Sequence, residues 1–301
     1  GLTLVTGSET STLDLLREAD TAMYRAKTGG RDGIVIFESS MLTEKQDQLM
    51  LENDLQSALA SGELAMHLQL QVDTAGRPTG AELLIRWYRA DGKMIPPDVF
   101  IPVAEASGLI VPIGYWVLRE ACVAWLALEE AGYTLPLSIN VSPLQFRQSD
   151  FVDRVQAILL ETGAPAHQLI FEVTEGLLMD DIDQTIGRMH ELVGLGIRFS
   201  IDDFGTGYSN LAYLSKMPLY ELKIDKSFMQ ATPHEVGGTA IVQSIISMAS
   251  HLGLRVVAEG IETHAQADYL THHGSPDMQG YLYHRPMPLN QLIVRLATLR
   301  F

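Results

Sequence analysis

Short apolar runs alternate with helical patterns along most of this sequence, and no other feature constrains its fold as much. The strand-like runs are 64–72, 81–87, 135–141, 168–174, 197–202, 219–225 and 254–259, with a weaker candidate at 279–283. Helical periodicity fills most of the gaps, at 113–131, 149–162, 180–195, 208–216, 236–253 and 263–273. Several runs are apolar without interruption, as in Leu83-Leu84-Ile85, Leu169-Ile170-Phe171 and Val256-Val257-Ala258. Strands covered on both faces read this way, as those of parallel sheets do. Up to eight such strands interleaved with helices over about 250 residues predict an α/β chain closed as a (β/α)8 TIM-like barrel. A doubly wound open sheet is the competing arrangement.

Nearly every run stops at a carboxylate, an amide or a lysine. Glu82 lies in the second run, with Arg86 four residues on. Asn140 ends the third, and Glu172 and Glu175 sit in and after the fourth. Asp202 and Asp203 end the fifth, Lys223 and Asp225 the sixth, and Glu259 the seventh, with Glu262 behind it. Gln279 follows in Met-Gln-Gly-Tyr. A single strand-end carboxylate is usually a solvated loop charge. In a barrel, however, all strand C-termini meet on one face, so six strands delivering such groups make a site.

Glu82, Asn140, Glu172 and Asp202 are hard oxygen donors, which suit Mg²⁺, Mn²⁺ or Ca²⁺ better than zinc. Adjacent Asp202 and Asp203 can serve two ions. A two-metal site is suited to phosphodiester hydrolysis, because it activates water and stabilises the oxygens around phosphorus. Lys223 then orients or deprotonates that water, or neutralises phosphoryl charge, and Arg86 grips a second phosphate. This chemistry reconciles an anionic substrate with a net charge of −16. So acidic a chain is poorly suited to wrapping a nucleic-acid polymer.

The 202–209 stretch, Asp-Asp-Phe-Gly-Thr-Gly-Tyr-Ser, carries Gly205 and Gly207 for a tight turn beside the metals. Its Asp-Phe-Gly is shared with kinases, but no Gly-rich loop with a downstream Val-Ala-Ile-Lys accompanies it. The histidines read as structural, since neither His-x-x-x-His nor a Cys pair occurs, Cys122 being the sole cysteine. The methionines and tryptophans read as core, with Trp87 packing near the barrel rim. No run of 18 uninterrupted apolar residues and no signal-peptide pattern occurs, so this segment is expected to be cytoplasmic, without membrane contact. Gly1 in place of Met is expected of a piece of a longer protein, any membrane anchor of which would lie outside this segment.

The first 40 residues read differently. Thr12 is expected to cap a helix with Leu16, Ala19, Met23 and Ala26 on one face, ended by Gly29 and Gly30. A strand over 34–37 follows, then a helix opened by a Thr43–Gln46 capping box. One helix and a strand cannot bury a core alone.

The barrel segment resembles the EAL domain, the family of cyclic di-GMP phosphodiesterases. The resemblance rests on Met-His-Leu-Gln-Leu-Gln-Val-Asp (66–73), Ala-Glu-Leu-Leu-Ile-Arg-Trp (81–87), Phe-Ile-Pro-Val-Ala-Glu (100–105), Ile-Asn-Val-Ser-Pro (139–143) and Phe-Glu-Val-Thr-Glu (171–175). It continues through the 202–209 stretch, Leu-Lys-Ile-Asp (222–225), Ala-Glu-Gly-Ile-Glu (258–262) and Gln-Gly-Tyr (279–281). It implies a barrel whose first strand runs antiparallel, and hydrolysis of cyclic di-GMP to linear pGpG. It implies metal ligands at Glu82, Asn140, Glu172 and Asp202, with Asp203 on a second Mg²⁺ or Mn²⁺. Lys223 and Glu259 are implied around the nucleophilic water, and Glu175 as the holder of the 202–209 loop, which links the site to a dimer interface. Gln69 and Arg86 are implied as dinucleotide contacts, and Gln279 closes the ring. The strand-end Asp225 and Glu262 are placed with the substrate-binding set.

Residues 15–27, Leu-Leu-Arg-Glu-Ala-Asp-Thr-Ala-Met-Tyr-Arg-Ala-Lys, resemble the end of a GGDEF domain. The implied organisation is a GGDEF-like remnant over 1–40, a linker starting over 41–47 and the EAL-like barrel over 48–301. A full GGDEF domain is implied upstream, without its synthetic motif here. Three segments depart from the family pattern: Leu83 in Glu-Leu-Leu, Leu68 and Leu70 around Gln69, and Ser275-Pro276 before the Gln-Gly-Tyr segment. These bear on substrate affinity more than on catalysis. The alternatives are a receptor that binds cyclic di-GMP without cleaving it and a barrel enzyme for another phosphorylated substrate.

Overall fold

The computed structural model of the chain describes residues 1–4, 11–28, 33–179, 181–205 and 214–299. Eight strands close a barrel: β1 (Leu64–Val72), β2 (Pro78–Tyr88), then, after the short β3 (Met94–Ile95), β4 (Leu137–Asn140), β5 (Leu169–Thr174), β6 (Arg198–Phe204), β7 (Glu221–Ile224), β8 (Arg255–Ala258) and β9 (Asp277–Met278). From β2 round to β9 the barrel neighbours are parallel. β1 runs antiparallel to both β2 and β9 and closes the circle. β3 lengthens the sheet beside β2, and β10 (Met287–Pro288) does so beside β1.

The hairpin that reverses β1 is local in origin. Asp73 Oδ1 accepts hydrogen bonds from the backbone N–H groups of Ala75 and Arg77, both at 2.9 Å, and holds the turn shut. Because β1 is reversed, its first residues lie at the mouth formed by the other strands' C-terminal ends.

Register explains how the site assembles. Glu82 lies opposite Ser138, Asn140 opposite Glu172, Glu172 opposite Ser200 and Ser200 opposite Glu221. Successive strand residues point to opposite faces. These polar positions therefore share the inner face. Leu83, Ile139, Phe171, Phe199, Ile201 and Leu222 share the outer one, all buried beneath the surrounding helices. Phe146, Phe151, Phe171 and Phe199 form a continuous aromatic cluster there, with ring centroids 5.4–6.2 Å apart. Helix Ile110–Glu130 is long and apolar enough to cross a membrane by length and composition. In this fold it buries Ile113, Val117, Leu118, Ala121, Cys122 and Leu128 instead.

Several expectations need correction. The eighth barrel strand is Asp277–Met278 and not 279–283, which turn. Gly280 sits against the Ile261 backbone, where a Cβ would fall 2.1 Å from the Ile261 oxygen, so the chain has no room to continue as an ordinary strand. Residues 34–37 form only one isolated bridge, Leu2 with Ile36. Helix Thr12–Thr28 is capped by Ser11, whose Oγ accepts from Asp14 N–H, and it exposes Leu16 and Met23 while burying Thr21 and Ala22. Helix Ser40–Ser61 starts ahead of Thr43, which removes the capping box. Most of the expected 208–216 helix, with Gly207 and the glycines at 29 and 30, lies outside the described residues.

Candidate active site

One ammonium sits at the centre of the mouth. Lys223 Nζ lies 2.6 Å from Glu259 Oε1, 2.9 Å from Glu172 Oε2, 3.1 Å from Asp202 Oδ1 and 3.5 Å from Glu82 Oε2. The lysine is fully buried, as are Glu82 and Glu172. Four strands deliver the lysine and three of the acids, and β2 adds Glu82. A buried charge persists only when paired, so each member of the cage depends on the others.

Amides fix the ring on one side. Asn140 Nδ2 donates to Glu82 Oε1 at 2.8 Å, and Gln279 Nε2 donates to Glu82 Oε2 at 2.5 Å. Gln279 also reaches Gln69 Oε1 at 3.3 Å and accepts from Gln71 Nε2 at 3.1 Å. Gln69 Nε2 donates to the His284 carbonyl. Gln71 is an addition to the residues expected from sequence. It stands two residues beyond Gln69 on the same face of β1, and that spacing is the signal that points to it.

The protonation pattern follows from these contacts. Burial opposes charge on Glu82, but the Lys223 ammonium and donors from Gln279 and Asn140 outweigh it, and its carboxyl is lowered. Glu172 has no such amide donors. Burial and then the Glu82 charge push its carboxyl well above the ordinary range, against Lys223. Glu259 is raised to about 8 by burial, with Asp202 and Glu82 adding to the shift against Lys223. Asp203 is raised to about 6 by burial and then by Asp202. Burial works against charge on Lys223, yet Asp202, Glu172, Glu259 and Glu82 together hold it well above its ordinary value. In this metal-free cage Lys223 is a cation that neutralises the surrounding carboxylates.

The donor set fits divalent cations. Among the described residues, both Glu172 carboxylate oxygens and Asp202 Oδ1 are buried with no hydrogen-bond donor besides the Lys223 ammonium. Ligand oxygens of Asp202, Asp203 and Glu259 lie within 4.8 Å of one another. Hard oxygens with unused lone pairs, clustered around surplus negative charge, are what Mg²⁺ or Mn²⁺ takes.

The other expected residues fall as follows. Glu175 Oε1 accepts from Gly205 N–H at 2.7 Å and so holds the start of the loop after β6. Asp225 caps helix Lys226–Ala231, its Oδ1 accepting from Ser227 N–H at 2.9 Å, and its carboxyl is hydrogen-bonded to Asp203. Through that hydrogen bond it steadies Asp203. Glu262 is exposed, and its backbone N–H donates to Gln266 Oε1 at 2.9 Å. Arg86 lines a cavity of about 300 Å³ that also touches Leu83, Leu84, Asn140 and Glu172. The opposite end of the barrel holds a second ionic tier that the strand-end pattern does not reveal: Arg255 pairs with buried Glu221 and with Asp277.

The EAL domain profile matches residues 52–286. The chain is 42% identical over 301 residues to the bifunctional diguanylate cyclase/cyclic di-GMP phosphodiesterase MucR of Pseudomonas aeruginosa, covering 99% of this chain and 44% of MucR. It is 40% identical over 290 residues to the cyclic di-GMP phosphodiesterase NbdA of the same organism, covering 96% of this chain and 37% of NbdA. The chain thus spans less than half the length of these relatives. Among solved structures, the PaMucR phosphodiesterase in complex with c-di-GMP superposes with a TM-score of 0.78 at 42% identity, over 81% of this chain and 99% of that one.

Proposed function

The chain belongs to the EAL domain family, and we propose that it is a metal-dependent phosphodiesterase that hydrolyses cyclic di-GMP to linear pGpG. The observation that carries this reading is the cage of Glu82, Asn140, Glu172 and Asp202 around Lys223, with Asp203 and Glu259 beside it. Its members come from five neighbouring strands and converge on one barrel mouth, and near relatives of the chain include named cyclic di-GMP phosphodiesterases.

Glu82, Asn140, Glu172 and Asp202 would hold one Mg²⁺ or Mn²⁺, and Asp203 a second. When bound, such ions polarise the phosphoryl oxygens and make water more acidic. Lys223 balances the excess of carboxylates and holds positive charge toward the phosphoryl group. Glu259, which metal binding would keep deprotonated, is the group beside the ring that accepts a proton from water. The water oxygen joins phosphorus and the bond to the 3′ oxygen breaks. That oxygen takes up a proton from solvent and leaves as a hydroxyl, and the 5′ phosphate stays on the product. Gln69, with Gln279, faces the dinucleotide at the ring's edge, and Arg86 reaches the second phosphate. Glu175 fixes the loop carrying Gly205 beside the metal ligands.

We assign residues 1–40 to the end of a GGDEF-like domain and the barrel to 48–301, in a parent protein with further GGDEF sequence upstream. A homodimer through the barrel and a cytoplasmic location of this segment complete the reading.

The test is incubation of the chain with cyclic di-GMP and Mg²⁺, then Mn²⁺, with products separated by chromatography. Appearance of pGpG, stopped by EDTA and restored by metal, is the expected result. Binding without product would overturn it in favour of a receptor.

A further inference from the structure

On β1, the odd-numbered residues face the barrel axis, as the contacts of Gln69 and Gln71 with Gln279 establish. His67 continues that face one step nearer the mouth. On β2, Glu82 fixes the even-numbered residues inward, so Leu84, Arg86 and Tyr88 climb the same wall. Trp87 between them packs the other way, edge-on to Phe100. The register sets Gln69 opposite Glu82 and His67 opposite Leu84. His67 Nε2 lies 3.3 Å from Tyr88 Oη, and the two rings are tilted by 36° with centroids 6.0 Å apart.

We propose that His67 and Tyr88 form an aromatic shelf that receives a guanine base of the dinucleotide, making them specificity determinants of the site. This rests on the cyclic di-GMP reading above. The heights agree with it. One two-residue step along a strand is about 7 Å, so the shelf begins about 7 Å above the cage and Arg86 stands about 13 Å above it. A phosphodiester held at the cage sends its ribose and base up that wall by about one such step, while Arg86 waits for the second phosphate. Both residues of the shelf are half-buried.

Its geometry is also fixed in advance. His67 is held by Tyr88 and by a hydrogen bond to the Pro286 carbonyl, so little side-chain freedom is lost on binding. Burial and then the Arg86 charge lower the imidazole's proton affinity, which keeps the ring neutral and suited to stacking. From sequence alone His67 reads as structural, since no metal-ligand spacing includes it. Its partner Tyr88 is distant in sequence and is brought to it only by the hairpin register.

The test compares two substrates, cyclic di-GMP and bis(p-nitrophenyl) phosphate, which has a phosphodiester but no purine. Stacking of one base implies that H67A raises KM for cyclic di-GMP about tenfold with kcat within about twofold. KM for bis(p-nitrophenyl) phosphate moves far less, and H67F recovers most of the lost affinity for cyclic di-GMP. An unchanged KM in H67A overturns the shelf. So does a parallel loss on both substrates, or an H67F variant as weak as H67A. A wild-type chain that cleaves bis(p-nitrophenyl) phosphate but never cyclic di-GMP overturns the substrate reading, and the shelf with it.

Discussion

Lys223 Nζ and Glu259 Oε1 are 2.6 Å apart at the centre of the barrel mouth, with three further carboxylates within 3.5 Å of the same ammonium. Removing that cation leaves several acids facing one another in a dry site. We expect Lys223→Met to destabilise the metal-free domain by about 3–5 kcal/mol, the cost of a buried charge cluster that loses its partner. Mg²⁺ should recover part of the lost melting temperature, because it supplies the missing positive charge. Hydrolysis should remain at least about 100-fold down, since the charge facing the phosphoryl group is gone. Thermal melts with and without Mg²⁺, alongside turnover, check both halves. A variant as stable as wild type in EDTA would contradict the cage.

The acids dictate how stability depends on pH. Glu259 moves from 4.5 to about 8 on folding, and Asp203 from 3.8 to about 6. Between those values the folded, metal-free domain holds protons that the unfolded chain has released, so its stability falls as pH rises. The lowered Glu82 acts only below its ordinary value of 4.5, and the raised Lys223 only above 10.5. Neither offsets the trend in this window. The EDTA-treated domain should therefore melt lower at about pH 8 than at about pH 6. Saturating Mg²⁺ should reverse the slope, because ligands must shed protons to bind metal. Equal melting temperatures at both pH values in EDTA would refute the assignment.

Much of this arrangement is legible in the amino-acid order. Asn140, Glu172, Asp202, Lys223 and Glu259 stand at or near the close of apolar runs, Glu82 within one, and a barrel carries such positions to one mouth. The rest depends on register and packing. Gln71 escapes a search for groups at the mouth because β1 is reversed, so its C-terminal end points away from the mouth and into the barrel. The Arg255–Glu221–Asp277 tier escapes it because those charges begin strands instead of ending them. β9 is two residues long, too short for any periodicity, and its position is set by pairing with β8. Helix Pro97–Ser107 contains Pro102 and has no clean pattern, yet it forms because Phe100, Val103 and Ala104 are buried beneath it.

Leu83 replaces the alanine of the family signature, and in the sequence its bulk stands beside a metal ligand. The structure turns it outward, 2% exposed, on the face opposite Glu82. It packs the wall behind the site and does not enter the ring. Leu83→Ala should cost about 2–4 kcal/mol through the cavity it leaves. Metal-dependent turnover below the new melting temperature should persist. Chemical denaturation and hydrolysis assays on the same preparation separate the two effects. A collapse of kcat with unchanged stability would mean that Leu83 shapes the site directly.

Glu82→Ala removes the ligand that two amides and Lys223 converge on. We expect metal affinity to drop and hydrolysis to vanish, because the remaining donors cannot complete the inner face of the cage. Calorimetric titration with Mn²⁺ and product chromatography check this pair of outcomes. Retained turnover would remove Glu82 from the ligand set.

Glu175 acts at a distance from the chemistry, through the backbone of Gly205. Its Oε1 accepts from Gly205 N–H at 2.7 Å, and Gly205 has φ +98, a left-handed conformation that suits glycine. Phe228 also stands within 3.0 Å of where a Cβ would project. The loop start is therefore held from two sides, by a carboxylate and by packing, directly after Asp202 and Asp203, the proposed ligands. Glu175→Ala loses one charged hydrogen bond and should cost only about 1–3 kcal/mol of stability. Activity should fall more steeply, about tenfold or beyond, because both aspartates lose their backbone reference. Glu175→Gln, which can still accept at the same place, should recover most of the loss. Assays at several Mg²⁺ concentrations distinguish the cause. A displaced ligand pair predicts partial rescue at high metal, whereas wild-type rates in Glu175→Ala would show that the loop needs no such anchor.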